Sequence, residues 1–512
     1  MSSTSHSDAH ITATIMDPFN YDHTERSERI ATHLIQDHHL ASQETVLLVF
    51  PFGLDFIVAF LGVQRAGGVP VLVPPLNPAQ LDKDLAHFNK LAHISNARIA
   101  LTLGSYSAAL NLASGWRNIK ATFWRTQSSQ RWIDLTWVSI NTIRCQPASD
   151  SVHTPQVDLD HLAFLQYTSG STGDPKGVEV THRNLVANLQ TICQTVSYTP
   201  DTVGCTWLPH FHDFCLIGCV LTSFYAGGTV YLQSPLDFVK NLNSWTRAMS
   251  TFRATHTAAP NFALDLAARK YNGAPLDLSA LQCVPAYGLA EATLGLSFYP
   301  HQAKSIEDLV GLDDAVLCGP PCVGVTMRIV DPKTGADVTD AGQEGENWVA
   351  SPSVSFAYYN LDEASRETFH NHLNGYPRLR FLRTGDLGKV WRAPGKDGIV
   401  SGGQPQLLVT GRLKDIFFIH GRNVYPQGIE ELVWTTVALC AEVRKTILSR
   451  SERNKTFASV LQQIPALMLS SMGIMLDHIV LAEPGQIPRT TSGKIRRKQA
   501  TALYEDDKIK VV

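Results

Sequence analysis

The chain has no excess of charge of either sign: 43 Lys and Arg stand against 46 Asp and Glu, a formal net charge of −3. That balance excludes a global field for nucleic acid or membrane headgroups, so any phosphate contact must be local. A disulfide framework is also missing. The nine cysteines (Cys145, Cys193, Cys205, Cys215, Cys219, Cys283, Cys318, Cys322 and Cys440) are an odd set scattered among apolar neighbours, as expected of reduced, buried thiols. Cys215 and Cys219 sit four apart and Cys318 and Cys322 flank Gly-Pro-Pro, but no second pair stands at zinc-like spacing. No apolar run suits a membrane span, since Val46 to Val63 is broken by Pro51, Gly53 and Asp55. The first sixteen residues lack a basic start followed by an apolar stretch, so no signal peptide is expected and a cytoplasmic location is predicted. Tandem repeats, heptads and low-complexity blocks are absent, which excludes solenoids and coiled coils.

What remains is ordinary globular composition, 44% apolar and 17% charged over 512 residues, enough for about two to four domains. Short apolar runs alternate with helical patterns: Thr45 to Phe50, Asp55 to Gln64, Val69 to Val73, Asp82 to Ile94, Arg98 to Thr102. This is the βαβ rhythm. It resumes with a helix from His182 to Tyr198, a strand near Cys205 to Leu208, and Gly227-Gly228 before a strand from Thr229 to Leu232, so a second sheet layer is expected. From about Ala315 the pattern shifts to short strands and turns, with strands over Val325 to Val330 and Glu346 to Ala350 and a turn over Asp331 to Gly335, which predicts a small β-rich subdomain. A hinge is placed near Lys414, with helices beyond it near Ile429 to Thr436 and Lys455 to Leu469.

Within this frame, Gln166-Tyr167-Thr168-Ser169-Gly170-Ser171-Thr172-Gly173-Asp174-Pro175-Lys176-Gly177 is the most informative stretch. Its glycines let backbone N–H groups approach an anion, its hydroxyls add donors, and Lys176 adds a point charge on a flexible stem. His161 to Tyr167 reads as a buried strand, which puts the loop at a strand end where α/β sheets place ligands. The spacing is neither the common phosphate loop, since Pro175 stands where its second glycine would be, nor the dinucleotide pattern. Composition alone favours a polar surface loop.

Four later segments change that balance: Ala286-Tyr287-Gly288-Leu289-Ala290-Glu291-Ala292-Thr293, Phe381 to Gly388, Val409 to Asp415, and Pro488-Arg489-Thr490-Thr491-Ser492-Gly493-Lys494-Ile495. With the loop, in this order, they resemble the adenylate-forming superfamily of acyl-CoA synthetases, luciferases and adenylation domains. The segments Trp207 to Asp213, Pro260 to Leu266, Tyr287 to Leu294 and Gly421 to Gln427 look most like fatty acyl-AMP ligases, as do the extra residues Thr368 to Arg380, where those ligases carry an insertion held to keep the small domain from the CoA-using pose.

The resemblance implies an α/β fold: a large N-terminal adenylate-forming domain of two α/β layers plus a β-rich subdomain over 17–412, a small mobile α+β C-terminal lid over 413–512, and a flexible tail over 1–16. It implies a ligase joining a fatty acid to ATP with Mg²⁺, then passing the acyl group to an acyl carrier protein or a polyketide or peptide synthase. Thr168, Ser169, Gly170, Ser171, Thr172, Gly173 and Lys176 would hold the β- and γ-phosphates. Glu291 would bind Mg²⁺, Asp386 the ribose hydroxyls with Arg412 nearby, and Tyr287 and Gly288 would flank the adenine. Lys494 would bridge the acyl carboxylate and α-phosphate, and His212 would border the carboxylate. Outside the family pattern, Lys494 reads as a solvated charge and Glu291 as a helix-terminal carboxylate. His210 and His212, two apart with Asp213, fall short of a metal set.

Two larger departures accompany these matches, beside smaller ones at Phe214, Cys215, Ala357 and Gly428. The spacing from Asn261 to Tyr287 is short for the family and implies loss of one wall of the adenine pocket and a strand of the sheet. Arg422 to Lys494 likewise leaves little room for the small sheet that carries the lysine loop. The alternatives are an acyl-CoA synthetase and a non-catalytic acyl- or nucleotide-binding protein.

Overall fold

The computed structural model describes residues 14–16, 21–78, 81–113, 132–143, 155–168, 175–260, 263–264, 267, 271, 273, 275–282, 285–299, 317–392, 405–413, 417–419 and 422–424. In chain order the first elements are Thr14–Met16 (β1), Tyr21–Gln36 (α1), Thr45–Leu48 (β2), Leu54–Arg65 (α2), Val69–Leu72 (β3), Leu81–Ile94 (α3), Ile99–Thr102 (β4), Thr136–Ser139 (β5), Leu162–Thr168 (β6), Lys176–Thr181 (β7) and His182–Thr195 (α4). The expected βαβ alternation is present, with ends shifted by a few residues. Strands β2 to β7 form one sheet in the order β5-β4-β2-β3-β6-β7. All its pairings are parallel except β6–β7, a strand return that the loop's composition did not reveal.

Both faces of this sheet are covered, as the continuous apolar runs require. Successive side chains of a strand point to opposite faces. Val46 and Leu48 therefore join Ile30, Leu34, Phe56 and Phe60 from α1 and α2, while Leu47 and Val49 join Leu85, Phe88 and Leu91 from α3. Ile30 and Leu34 are four apart, which puts them on one side of α1. Each such fully buried side chain contributes about 1.5–3 kcal/mol of hydrophobic stabilisation. The centre of the sheet is thus a fixed platform for the loop at the carboxyl end of β6.

Helix α4 follows β7 directly and is capped reciprocally. The Thr181 hydroxyl accepts from Asn184 N at 3.1 Å, and the Asn184 side-chain oxygen accepts from Thr181 N at 3.1 Å. The second sheet comprises β1 with Val203–Thr206 (β8), Thr229–Leu232 (β9) and His256–Thr257 (β10), in the order β1-β9-β8-β10. Thr14–Met16 falls within the expected flexible tail, and it instead pairs antiparallel with β9. Before β9, a helix ends at Gly227 with φ 77°, a left-handed conformation that glycine adopts without a Cβ clash. Beyond β10, where the short spacing implied a lost strand, the described residues show one isolated parallel bridge from His256 to Gln282.

The β-rich part holds a pair, Ala286–Gly288 (β11) with Gly295–Phe298 (β12). Its larger sheet is Thr326–Val330 (β13), Gly345–Ala350 (β14), Leu382–Trp391 (β15) and Gln406–Arg412 (β16), antiparallel in chain order. The expected turn is closed by Gly335 N donating to Asp331 O at 2.8 Å, with the Asp331 carboxylate accepting from Lys333 N at 2.8 Å. The segment from Thr368 to Arg380 packs here, with Leu373 and Phe381 buried against Val330 and Ala350. Past β16, the hairpin Phe417–Ile419 (β17) and Arg422–Val424 (β18) is described. The helices expected near 429–436 and 455–469 lie outside the described residues, as does the hinge lysine, Lys414.

Candidate active site

The phosphate-loop candidates divide at the hairpin between β6 and β7. Thr168 and Lys176 face one another at its mouth as register partners, and the Thr168 hydroxyl reaches Lys176 O at 3.5 Å. Ser169, Gly170, Ser171, Thr172 and Gly173 lie outside the described residues. The Lys176 ammonium stands 4.8 Å from the centre of the Tyr358 ring, a cation–π contact. The Tyr358 hydroxyl in turn donates to Glu291 Oε1 at 2.8 Å.

Glu291 sits in the short helical turn Ala290–Ala292 that joins β11 to β12. Burial raises the pKa of its carboxyl above the usual glutamate value. The Tyr358 hydrogen bond opposes that rise, and the charges of Asp386 and Asp213 add to it. Three acidic groups thus bear on one place. Burial likewise raises the Tyr358 phenol, so it stays a neutral donor toward the carboxylate.

A second group forms where β11 meets the larger antiparallel sheet. Asp386 is buried on β15 and Arg412 lies opposite it on β16, with Nε 3.0 Å from Oδ1. Asp386 Oδ2 accepts the Tyr287 hydroxyl at 2.9 Å. The Tyr287 phenol is held well above its ordinary pKa by burial, with the Asp386 charge adding to the effect. The stretch of β15 before Asp386 is fixed from β14: Arg383 Nε and Gly385 N both donate to the buried carboxylate of Glu346, at 3.0 and 3.1 Å. Gly388, on the same strand, is not one of the candidates. Gly288 is one, and its placement has a structural cause, because a Cβ there would lie 1.9 Å from Leu294 O.

His212 caps the helical turn Asp213–Cys215, its Nδ1 accepting from Phe214 N at 3.2 Å and lying 2.5 Å from Asp213 Oδ1. Its neighbour His210 has a different setting, 4.1 Å from the Phe56 ring and 5.3 Å from the Phe52 ring between centroids. Both ring nitrogens of His210 are buried without a hydrogen-bond partner. No cluster of three or more metal-ligating side chains occurs among the described residues. Leu216 and Ile217 are fully buried core, with Phe211 and Phe214 packed against it. Lys494 lies outside the described residues. Sequence reasoning missed Tyr358 and Asp213 as members of the site.

The family model described as AMP-binding enzyme matches residues 21–285. The chain belongs to the AMP-binding enzyme family. A medium-chain-fatty-acid–[acyl-carrier-protein] ligase, JamA of Moorena producens, is 32% identical over 94% of this chain and 88% of its own. A second ligase of that description, TtuA of Teredinibacter turnerae, is 29% identical over 89% of this chain and 84% of its own. Among solved structures, a fatty acyl-adenylate ligase from L. pneumophila in complex with acyl adenylate and pyrophosphate superposes with a TM-score of 0.63 at 27% identity, covering 95% of this chain and 91% of that one. No helix among the described residues is long and apolar enough to cross a membrane.

Proposed function

We propose that the chain is a fatty acyl-AMP ligase that uses ATP and passes its acyl group to a phosphopantetheinyl carrier protein. The observation that carries this reading is the linkage of Lys176, Tyr358 and Glu291 beside Tyr287, Asp386 and Arg412, residues from five segments of a chain that resembles such ligases over most of its length. Each has a distinct task. Thr168, Lys176 and the loop between them bind the β- and γ-phosphates, and Asp386, already accepting from Tyr287 and Arg412, takes the ribose hydroxyls. Tyr287 and Gly288 border the adenine.

In the first step a fatty carboxylate oxygen attacks the α-phosphorus, the bond from that phosphorus to the bridging oxygen breaks, and pyrophosphate leaves with the electron pair. Two anions meet, so the site must neutralise charge as it moves. Lys494 bridges the carboxylate and the α-phosphate, and His212, oriented by Asp213, borders the carboxylate. Glu291 fits a hard divalent cation such as Mg²⁺: it is an oxygen ligand, and the charges of Asp386 and Asp213 that raise its pKa also favour a cation. When bound, Mg²⁺ supplies further neutralisation of the triphosphate. In the second step a thiol attacks the acyl carbon and AMP departs.

The test is fatty-acid-dependent pyrophosphate release from MgATP without CoA, with medium and long chains, for wild type and Lys494→Ala. Release that collapses in the variant is expected, with subsequent transfer to a carrier thiol in preference to free CoA. No release at any chain length from folded protein would overturn the ligase reading and leave a binding scaffold.

A further inference from the structure

Tyr358 lies on a segment that is clamped on both sides. Its backbone makes an antiparallel bridge with Val178 on β7, Tyr359 N donates to Gly177 O at 2.7 Å, and Glu179 N donates to Ala357 O at 3.1 Å. On the other side Ser355 N donates to Glu291 O at 2.9 Å, and Tyr358 N donates to the Ser365 hydroxyl at 2.9 Å. The ring packs edge-on against the buried Phe369 at 4.9 Å. This aromatic side chain is therefore fixed from the backbone outward, with Lys176 over its face and Glu291 at its hydroxyl.

We infer that Tyr358 is a positioning residue that couples the two charge-bearing halves of the site, its ring setting Lys176 for the triphosphate and its hydroxyl setting Glu291 for the divalent cation. The inference rests on the ligase reading above. The two halves are chemically separable, because phenylalanine keeps the ring and loses only the O–H donor, whereas leucine loses both. A side chain that only filled space would not separate metal dependence from nucleotide affinity.

The experiment uses the full chain with Tyr358→Phe and Tyr358→Leu, and measures two quantities. The first is the Kd for ATP by calorimetry in EDTA, where only the protein's own groups act on the phosphates. The second is the Mg²⁺ concentration giving half-maximal pyrophosphate release. Tyr358→Phe is expected to leave the Kd in EDTA within about twofold of wild type and to raise the Mg²⁺ requirement about tenfold, the usual consequence of removing a hydrogen bond to a metal-binding carboxylate. Tyr358→Leu is expected to raise the Mg²⁺ requirement similarly and also to weaken ATP in EDTA by about three- to tenfold through loss of the cation–π contact.

An unchanged Mg²⁺ requirement in Tyr358→Phe would overturn the inference, as would equal weakening of ATP in EDTA by both variants. If Tyr358→Leu fails to fold, as its thermal transition would reveal, Tyr358→Phe still decides the coupling to Glu291. Wild type that neither binds ATP nor releases pyrophosphate would overturn the ligase reading and this inference with it. An active wild type with an unmoved Tyr358→Phe would overturn this inference alone.

Discussion

Asp386 and Arg412 face one another across the β15–β16 ladder, with the guanidinium Nε 3.0 Å from the carboxylate Oδ1 and the Tyr287 hydroxyl on the other oxygen at 2.9 Å. Asp386 is buried whereas the Arg412 side chain is half exposed, so the carboxylate depends on these donors more than the arginine depends on it. Asp386→Asn substitutes a neutral amide and leaves both donors without an anion. A loss of about 1–3 kcal/mol of stability is expected from the impaired buried hydrogen bonds. With Asp386 as the proposed ribose ligand, the KM for ATP is expected to rise at least about tenfold. Urea unfolding and ATP titration of the same preparation check both figures, and an unchanged KM would remove Asp386 from the nucleotide site.

Gly288 makes a sharper structural prediction than a ligand prediction. A Cβ at this position would sit 1.9 Å from Leu294 O and 2.7 Å from its carbonyl carbon, backbone atoms that cannot swing away. Gly288→Ala therefore has to separate β11 from β12, which carries Tyr287 away from Asp386 and disturbs the Glu291 turn. A destabilisation above about 3 kcal/mol is expected, in the range of severe backbone and packing conflicts. Thermal unfolding with and without ATP decides it: a variant as stable as wild type would show that the two strands part cheaply.

The layered fold was legible because periodicity is local. The alternation of Thr45 to Phe50 with Asp55 to Gln64 already carries the pattern that buries Val46 and Leu48 on one face and Leu47 and Val49 on the other. Lys176, Glu291 and Asp386 were singled out as candidates by short motifs, each written within a few consecutive residues. Tyr358 was not, because its partners lie far along the chain: Glu291 is 67 residues away, and the packing under Lys176 comes from a strand return with no sequence signature of its own. The pair Tyr358-Tyr359 stood out only for Ala357 before it, where the family resemblance implies a glycine, and that departure pointed to no partner for the Tyr358 hydroxyl. The strand Thr14–Met16 escaped for a related reason, since its pairing with β9 crosses more than two hundred residues and its three residues form no period. His210 was paired with His212 by spacing, yet Phe52 and Phe56 from another segment decide its environment.

His210 supplies the last prediction, a pH dependence of stability. The imidazole is 1% exposed, neither ring nitrogen has a hydrogen-bond partner, and burial pulls its pKa down to about 3. The folded protein therefore keeps it neutral, whereas in the unfolded chain it takes up a proton near its ordinary value of 6.5. Because the folded pKa is depressed, the protein has its full stability at neutral pH and loses it as pH falls below 6.5 toward the folded value. Between about pH 7 and about pH 4.5 this single group is expected to cost about 2.5 kcal/mol, since each pH unit in that window contributes about 1.4 kcal/mol. His210→Leu has no proton to gain and stays in an apolar setting beside Phe56. Carboxylates elsewhere titrate in both proteins alike, so the difference between the two urea-unfolding curves isolates the histidine. The variant is expected to close about 2.5 kcal/mol on wild type by about pH 4.5, and a wild type and variant that lose stability in parallel would show that His210 finds a way to accept its proton in the folded state.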